Sequence, residues 1–473
     1  MNKIPMKIFI SMPPLDKFIS GVPQISQNRQ YQEFGSHSTI YPILLASAAT
    51  LLKSKGYDVT WDDAITKRKK YDDWIKKIAE VKPDVIAIES KTPCIKYHWE
   101  ITKDIKKVSE YTSVVLMGDH VTEMPDESIR NGADLVIKGG DYDISLLNLM
   151  ERLEGKKETK FESLDELPFV DRDLTCWEDY AYENGNYKNT PATYTLAARD
   201  CHWGRCRFCS WASLYPPCSY KRRSPESLIE EIQILVEKYG VKEIMEDSGT
   251  IPYGDWLKRF CELMIETGLN KKIKISCNVR FGVLGKADYE LLRRSGFRLL
   301  LFGLESANQA ILDSIDKGIK TQDIWDGCKW ASQAGLSPHV TIMTGMPLET
   351  KETVEETLLF VKKLISKNYI STLQSTFVVA YPNTPLYKEC LEKDLLLIED
   401  GDWKKFNMRH QIIKTGLTEE ETKDYVSKFY KLSFNFKFIL HQFLSIRCWD
   451  DFSYLLRAAR IILTKHLPDF KNG

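Results

Sequence analysis

The chain has 473 residues, and its 66 lysines and arginines are balanced by 66 aspartates and glutamates. At roughly 150 residues per domain this length predicts about three structural units, and a hydrophobic share of 43% excludes a disordered chain. The zero net charge argues against a protein that binds nucleic-acid phosphates over its whole surface. No apolar run approaches the roughly 18 residues of a membrane-spanning helix, so we expect a soluble, cytoplasmic protein.

Short apolar runs alternate with helical stretches in residues 1–153, a pattern typical of a parallel sheet covered by helices on both faces. This predicts an α/β domain with a Rossmann-like, doubly wound sheet. Turn residues follow each apolar run, and ligands of such folds bind at the carboxyl ends of the strands. The predicted strands are residues 7–12, 58–61, 84–89, 114–117 and 134–138.

A second alternation occupies residues 191–395, after a charged, turn-rich segment at 154–190 that we interpret as a linker lying over the surface. Its six strand–helix units are too few to close an eight-stranded barrel. We therefore expect a partial (β/α)6 barrel that is open along one side, with its active face at the strand carboxyl ends. The predicted strands are residues 194–198, 243–246, 273–278, 298–304, 339–344 and 371–380, and the predicted helices include 224–239, 253–267 and 351–366.

The last unit, residues 396–473, is expected to be mostly helical. From Tyr425 to Gly473 it contains 11 aromatic residues, and 8 lysines and arginines against 3 acids. One interpretation is a helical cap that buries its aromatic side chains against the barrel. The other is an amphipathic surface that makes peripheral contact with a membrane or an acidic partner.

Eleven cysteines in a chain expected in the cytoplasm do not indicate a disulfide framework. Three of them, Cys201, Cys206 and Cys209, lie within nine residues, directly after the first strand of the second alternation. Thiolates this close on one loop can converge on a metal. The neighbouring Gly204 and Arg207 are poorly suited to a buried core, which makes a chance grouping of core cysteines the weaker interpretation.

The residues alone leave two kinds of metal site open. A closed zinc site needs a fourth ligand from a distant part of the chain, because no second cysteine pair shows zinc-finger spacing. A [4Fe–4S] cluster held by three thiolates instead leaves one iron open for a substrate or cofactor.

The cysteine loop resembles the signature of radical S-adenosylmethionine (SAM) enzymes, whose common pattern is C-x3-C-x2-C with an aromatic residue before the last cysteine. Phe208 supplies that aromatic residue, whereas the first interval here encloses four residues. Gly204 allows the loop to absorb the extra residue, and Cys218 is the nearest substitute ligand. The resemblance implies a [4Fe–4S] cluster whose ligands are Cys201, Cys206 and Cys209.

Further segments resemble the same family and follow in the expected order. Glu246-Asp247-Ser248 ends the second strand, where the family places a group that holds the methionine amino group of SAM. The segment GLES at 303–306 is similar to the fourth-strand region that contacts SAM, GMPLET at 345–350 matches a G-x-P-x-E-T turn, and YPNTPLY at 381–387 matches Y-P-x-T-P-L-Y. The SAM contacts that the resemblance implies are Phe208, Asp247, Ser248, Arg280, Gly303, Glu305 and Ser306.

The first domain resembles the cobalamin-binding domain of B12-dependent radical SAM proteins. Gly118-Asp119-His120 and Gly139-Gly140-Asp141 stand where the family usually shows G-G-x-H and G-E-G-E, so both motifs are altered. A D-x-H-x-x-G motif is absent, which implies cobalamin held base-off without a histidine bond to cobalt; His120 is alternatively a turn residue bonded to backbone. The implied cobalamin contacts are Ser90, Thr92, Gly118, Asp119, His120, Gly139 and Gly140.

Together, the implied cofactors predict an anaerobic methyl transfer to an unactivated carbon. Methylcobalamin supplies the methyl group, and a 5'-deoxyadenosyl radical from reductive SAM cleavage takes a hydrogen atom from the substrate. Radical cyclisation or oxidation, as in the oxygen-independent ring-forming enzyme of chlorophyll synthesis, is a second hypothesis. A non-enzymatic cobalamin sensor or carrier is a third. No pattern in the sequence identifies the catalytic residues or the substrate.

The expected partners are a small-molecule or lipid-like substrate and a reductant such as flavodoxin or ferredoxin. No nucleic acid is expected. The related RNA-methylthiolating enzymes carry a second cluster-binding domain and a basic RNA-binding domain, and neither a second cysteine triad nor a strand-rich tail is visible in this sequence.

Overall fold

The computed structural model describes residues 5–26, 29–34, 38–215, 219–382, 384–399 and 401–433, together with residues 446, 452, 454 and 456. Two parallel sheets dominate this part of the chain, one of five strands and one of six. The α/β class expected from the alternating pattern is confirmed.

The first sheet has the strand order β4-β1-β5-β6-β7, and all its pairs are parallel. This order is common among doubly wound folds. Its strands are β1 (Lys7–Met12), β4 (Asp58–Asp63), β5 (Val85–Glu89), β6 (Ser113–Met117) and β7 (Leu135–Ile137), and β2 (Val22–Ser26) and β3 (Arg29–Phe34) form a separate hairpin. The helices are α1 (Ile43–Ser54), α2 (Tyr71–Val81), α3 (Ile95–Val108), α4 (Asp119–Glu123), α5 (Pro125–Arg130) and α6 (Tyr142–Leu153).

Alternating side chains of the first sheet enter two different cores, because successive residues of a strand point to opposite faces. Ile8 and Val115 pack in the core that contains α1 and α6. Phe9 and Leu116 pack in the core that contains α2 and α3. Burial on both faces explains why these strands read as continuous apolar runs.

The second sheet has the order β15-β14-β13-β12-β11-β8 and is parallel throughout. Its strands are β8 (Ala192–Thr195), β11 (Glu243–Glu246), β12 (Lys274–Val279), β13 (Phe297–Glu305), β14 (Ser337–Thr344) and β15 (Thr372–Phe377); β9 (Ala198–Arg199) and β10 (Lys221–Arg222) form a short antiparallel pair. The helices are α7 (Ser210–Ser213), α8 (Pro225–Glu237), α9 (Asp255–Glu266), α10 (Leu269–Lys272), α11 (Lys286–Arg294), α12 (Gln309–Ser314), α13 (Thr321–Gln333), α14 (Lys351–Ser366), α15 (Pro385–Glu392) and α16 (Glu419–Leu432).

One face of the second sheet is partly open at β14 and β15, whereas β8 and β11 are buried throughout. Along β14, Val340 and Ile342 are buried in the core, whereas the alternate residues His339, Thr341 and Met343 keep part of their surface exposed. The half-exposed face leads towards the carboxyl edge of the sheet, where the cysteine loop begins.

The segment at 154–190 does not simply lie over the surface, so that prediction is wrong for part of it. Arg172 is 1% exposed and donates to Thr193 Oγ1, to the carbonyl of Tyr194 and to Glu231 Oε1 at 2.8–3.0 Å. These partners compensate the charge that burial would otherwise penalise. Trp177 is buried in the same core as the second sheet. The segment is therefore an integral packing element, which its charged and turn residues concealed.

Helix α16 contributes Tyr425 and Phe429 to the core, and the Tyr430 hydroxyl donates to the Ser375 carbonyl of β15 at 3.0 Å. Up to residue 433 the last unit therefore packs against the second sheet, as a cap would. Most of the basic, aromatic tail beyond it, including Lys437, Arg447 and Arg460, lies outside the described residues. Among the helices that the structure describes, none has the length and apolar character needed to cross a membrane.

Candidate functional site

The three clustered cysteines lie on the loop that follows the short strand β9 and leads into α7. Cys201, Cys206 and Cys209 are half-buried, and none of them forms a disulfide. The amide of Cys209 donates to the carbonyl of Cys206 at 3.1 Å, which makes a tight turn between the last two thiols. The loop thus presents three half-buried cysteines, none in a disulfide, at the carboxyl edge of the second sheet.

The four-residue interval between Cys201 and Cys206 is held by Trp203. Its indole N–H donates to the carbonyl of Asp316 at 2.8 Å, and the Arg280 guanidinium lies 4.1 Å from the centre of the ring system. A Cβ on Gly318 would lie 2.1 Å from the Trp203 ring, so only glycine permits this approach. Gly204 has a φ of 57° and makes the turn that the longer interval requires.

Positive charges surround Cys206. Burial raises the pKa of the Cys206 thiol, and the nearby charge of Lys317 and, more weakly, of Arg280 opposes that rise. Lys317 is itself buried, and it forms an ion pair of 2.8 Å with Glu305. These two cations favour the thiolate form that binds iron, whereas burial and the charges of Cys201 and Glu305 oppose it.

Four of the seven implied SAM contacts lie together beside Cys206. The Lys317 ammonium is 5.7 Å from the centre of the Phe208 ring, and Arg280 donates to the carbonyl of Gly318 at 2.9 Å. A Cβ on Gly303 would lie 2.2 Å from Glu305 Oε1, so the backbone of β13 passes directly under that carboxylate. The structure therefore brings together Phe208, Arg280, Gly303 and Glu305.

Asp247 and Ser248 directly follow β11, the strand that pairs with β8. The Asp247 amide donates to the Thr195 carbonyl at 2.9 Å, and Ser248 Oγ accepts from the Ala198 amide at 2.8 Å. The preceding Glu246 is buried, burial raises its pKa to about 7, and its Oε2 has no hydrogen-bond partner among the described residues.

Ser306 is the implied SAM contact that the structure places least directly in this group. Its hydroxyl lies 3.2 Å from Thr357 Oγ1 of α14 and accepts from the Asn308 amide at 3.1 Å. Thr357 belongs to α14, and Asn308 immediately precedes α12. These contacts explain a serine at this position by its role in the turn between β13 and α12.

The implied cobalamin contacts lie at the carboxyl edge of the first sheet. A Cβ on Gly118 would lie 1.9 Å from the carbonyl oxygen of Ser90, so the two loops are in close backbone contact. Thr92 and Asp119 are buried beside them, and the Thr92 hydroxyl has no hydrogen-bond partner among the described residues. This edge is buried rather than open.

His120 is fully buried in α4. Its Nε2 lies 2.9 Å from Glu127 Oε2, and its ring is 4.9 Å from that of Trp403 in an edge-to-face arrangement. The suggestion of a turn residue bonded to backbone is therefore wrong, because the partner is a carboxylate side chain. Nδ1 of His120 has no partner among the described residues.

The two sheet edges meet at Gly139 and Gly140. A Cβ on Gly140 would lie 2.3 Å from the Tyr215 ring, and a Cβ on Gly139 would lie 3.4 Å from the Leu214 carbonyl. Tyr215 follows α7, the helix that begins directly after Cys209. A buried ion pair of 2.7 Å between Arg199 and Asp143 joins the same two regions. The cysteine loop and the predicted cobalamin edge are thus adjacent.

Sequence reasoning missed several residues of this region. Thr250 lies 3.0 Å from the Cys201 sulfur, and it lies two residues after the segment Glu246-Asp247-Ser248, so the motif itself could have drawn attention to it. Tyr142 and Tyr215 are buried with hydroxyls that lack partners among the described residues. No spacing rule connects these two tyrosines, which come from different domains.

A site for a single metal ion is not present within the described residues, where no three histidine, cysteine, aspartate or glutamate side chains are suitably grouped. In a [4Fe–4S] cluster each thiolate binds a different iron atom, so its ligands need not converge on one point. The described residues consequently give no support to the closed zinc site.

Comparisons with known proteins were made for the sequence and for the fold. Residues 197–361 match the model of the radical SAM superfamily. An uncharacterized methyltransferase of Pyrococcus horikoshii is 27% identical over 454 residues, which cover 90% of this chain and 92% of that protein. The anaerobic magnesium-protoporphyrin IX monomethyl ester cyclase of Cereibacter sphaeroides is 27% identical over 434 residues, covering 85% of this chain and 68% of the cyclase.

Among solved structures, the radical SAM methyltransferase TsrM from Kitasatospora setae, with cobalamin and a [4Fe–4S] cluster bound, has a similar fold. The TM-score is 0.64 at 15% identity, and the match covers 90% of this chain and 91% of TsrM. The similarity therefore extends over both sheets and is not limited to the radical SAM region. From the matched model and the cysteine loop, we conclude that this chain contains a radical SAM domain and is related to methyltransferases and cyclases.

Proposed function

We propose that Cys201, Cys206 and Cys209 hold a [4Fe–4S] cluster. The loop fits this group because its three cysteines are half-buried and form no disulfide, and because the charges of Lys317 and Arg280 act on Cys206. When bound, such a cluster supplies the electron that cleaves SAM. Residues of β11 and β13 would then hold SAM beside the loop: Asp247, Ser248, Gly303, Glu305 and, less directly, Ser306, together with Phe208 and Arg280.

We propose further that the first domain binds cobalamin at the carboxyl edge of its sheet. The fit is supported by buried hydroxyls without partners among the described residues, those of Thr92 and Tyr142. Three glycines bring backbone close to this edge, Gly118, Gly139 and Gly140. His120 is engaged by Glu127, which fits a cobalamin held without a histidine bond to cobalt. Ser90 and Asp119 complete the proposed contacts.

The reaction we propose is methylation of an unactivated carbon. The observation that carries this proposal is the contact of Gly140 with Tyr215, because it joins the proposed cobalamin edge to the helix that follows the cysteine loop. A substrate between these edges would be close to both the methyl donor and the site of SAM cleavage. The side chains around it are largely buried, and exclusion of water protects radical intermediates from side reactions.

Isotope transfer tests this reaction. The reconstituted full-length protein would be incubated anaerobically with a reductant, SAM labelled in its methyl group and a metabolite extract. Methylation predicts a labelled product that is heavier than its precursor by one CH2, together with S-adenosylhomocysteine. Formation of 5'-deoxyadenosine without label in any product would contradict it.

Radical cyclisation or oxidation is the second candidate, and it is favoured by the 27% identity with the cyclase of Cereibacter sphaeroides. The same labelling experiment separates the two reactions. A product that has lost hydrogen and carries no label, formed with 5'-deoxyadenosine, would support the cyclase.

The proposed division of the chain follows the sequence boundaries. Residues 1–153 form a Rossmann-like cobalamin-binding domain, 154–190 a connecting segment, 191–395 a partial radical SAM barrel and 396–473 a mostly helical unit. The half-exposed inner face of β14 supports an open barrel.

A small-molecule substrate and a flavodoxin- or ferredoxin-type reductant fit this assignment. A peripheral membrane contact through the C-terminal unit stays a prediction, which vesicle co-sedimentation of the full chain and a deletion from Tyr425 would test.

A further inference from the structure

Thr250 contacts both the first cysteine of the loop and the histidine that directly follows it. Thr250 Oγ1 lies 3.0 Å from the Cys201 sulfur and 3.1 Å from His202 Nδ1. One hydroxyl therefore stands between the first thiol of the loop and the imidazole that follows it. Thr250 is 6% exposed, so bulk water competes little for these contacts.

The direction of both hydrogen bonds follows from the chemistry of a cluster ligand. A thiolate bound to iron has no proton, so it can only accept. Thr250 must then donate its hydroxyl hydrogen to Cys201, and its oxygen accepts from the protonated Nδ1 of His202. Nε2, on the other side of the His202 ring, is then left without a proton; it is buried and has no hydrogen-bond partner among the described residues.

The surroundings hold the three groups in place. Gly249 brings its backbone so close that a Cβ there would lie 3.0 Å from Cys201 Cβ and 2.6 Å from the Trp211 indole nitrogen. The ring of Tyr253 lies 4.6 Å from that of His202. Thr250 and His202 are therefore positioned by packing and do not depend on the cluster for their orientation.

We propose that Thr250 and His202 form a hydrogen-bond relay to Cys201 that raises the reduction potential of the cluster. This inference rests on the proposed cluster. A hydrogen bond to a ligand sulfur withdraws negative charge from it, which stabilises the reduced cluster relative to the oxidised one. Thr250 and His202 are positioning residues in this account, since they act through Cys201.

The test is a potentiometric titration of the anaerobically reconstituted full-length protein, followed by the electron paramagnetic resonance of the reduced cluster. Thr250→Val keeps the shape of the side chain and removes the donor, so we expect a more negative midpoint potential. Thr250→Ser restores the donor and should return the potential to the wild-type value. An unchanged potential in Thr250→Val at full iron and sulfide content would overturn the relay.

Thr344→Val is a matched control, because Thr344 is also buried at the end of a strand of the second sheet and its hydroxyl has no partner among the described residues. Its potential should equal that of wild type, and a shift as large as that of Thr250→Val would overturn the relay. His202→Phe keeps a ring against Tyr253 but removes Nδ1, and it should give a smaller shift in the same direction.

If Thr250→Val does not retain a cluster, His202→Phe decides the question, and a wild-type potential in that variant overturns the relay. A wild-type protein that assembles no cluster would contradict the proposed function itself. The two failures are thus distinguishable.

Discussion

The carboxyl edges of the two parallel sheets differ in how they treat their polar groups. At the first edge, Glu89 and Lys91 are at most 2% exposed and lie 3.3 Å apart as a buried ion pair. At the second edge, the three cysteines remain half-buried and unlinked. The first edge buries an ion pair, whereas the second keeps three thiols partly exposed that form no disulfide.

The first edge is closed by residues from the second half of the chain. The Tyr215 ring lies against Gly140, and Trp403 lies against His120. The Tyr215 ring therefore covers the first edge at Gly140, whereas the cysteine loop at the second edge keeps part of its surface exposed. The two proposed cofactor sites thus differ in how far side chains of the protein cover them.

The largest effect is expected at the open edge, from Cys206→Ala. Loss of one of three thiolates leaves a cluster without its required ligand set, so SAM cleavage should be abolished. The measurement is 5'-deoxyadenosine formed by the reconstituted protein with dithionite and SAM. Cys390→Ala is the control, because Cys390 is buried in a separate core and should leave the rate unchanged. If Cys206→Ala cleaved SAM at the wild-type rate, Cys206 would not be needed for cleavage, and the proposed cluster site at the second edge would be wrong.

The next largest effect concerns the junction between the edges. Arg199→Met leaves the buried Asp143 without its ion-pair partner, and we expect a loss of about 3–5 kcal/mol in the free energy of unfolding. Urea denaturation of the cofactor-free protein measures it. The exposed pair of Lys238 with Asp173 supplies the control, since solvent screens this pair and Lys238→Met should leave the free energy of unfolding almost unchanged. Equal losses for the two variants would show that the junction pair is not effectively buried.

At the carboxyl edge of the first sheet, adding a single methyl group should lower the stability of the protein. In Gly118→Ala the new Cβ would meet the Ser90 carbonyl oxygen at 1.9 Å, and the residue has a φ of 131°. Strain and overpacking together predict a loss of about 2–4 kcal/mol in the free energy of unfolding. Gly56→Ala, at a φ of 88° with nothing within 4 Å of the new Cβ, carries the strain alone and should cost less. The prediction fails if the two variants unfold at the same urea concentration.

The smallest effect is a pH dependence at the open edge. Burial raises the pKa of Glu246 from 4.5 to about 7, so the folded protein binds this proton more tightly than the unfolded chain. The proton on Glu246 contributes fully to the free energy of unfolding below pH 4.5, and this contribution is lost as the pH rises through about 7. Glu246→Gln removes this loss.

The stability of Glu246→Gln should therefore fall less than that of wild type between pH 5 and pH 8, by on the order of 2 kcal/mol. Urea titrations of the cofactor-free proteins across this range provide the comparison. Glu349, whose pKa burial also raises to about 7, keeps part of the wild-type slope in the variant. Parallel pH profiles would mean that Glu246 does not take up its proton in the folded state.

The alternating patterns predicted both sheets because each strand is buried on at least one face and is bounded by turn residues. The strand Lys7–Met12 has the predicted bounds. The predicted strand 194–198 is divided into β8 and β9, since Asp247 and Ser248 take hydrogen bonds with the chain on either side of the break. Local periodicity cannot show such a division, which depends on a strand 50 residues away.

The cysteine loop was visible in the sequence because its ligands are close in the chain. The contacts that complete the site were not, since they join distant segments: Arg199 meets Asp143, and Cys201 meets Thr250. The ligand and cofactor roles of the named residues remain predictions. The buried part of 154–190 was missed because Arg172 reads as a surface residue until its partners Thr193 and Glu231 are known.

The most direct test of the account is anaerobic reconstitution of the full-length protein with iron, sulfide and cobalamin, followed by quantification of each per chain. The account predicts one [4Fe–4S] cluster per chain, with its characteristic reduced-state resonance, and 5'-deoxyadenosine or S-adenosylhomocysteine on addition of SAM and reductant. It also predicts one cobalamin per chain, retained through gel filtration. A colourless protein that holds neither group and leaves SAM intact would contradict the central claim.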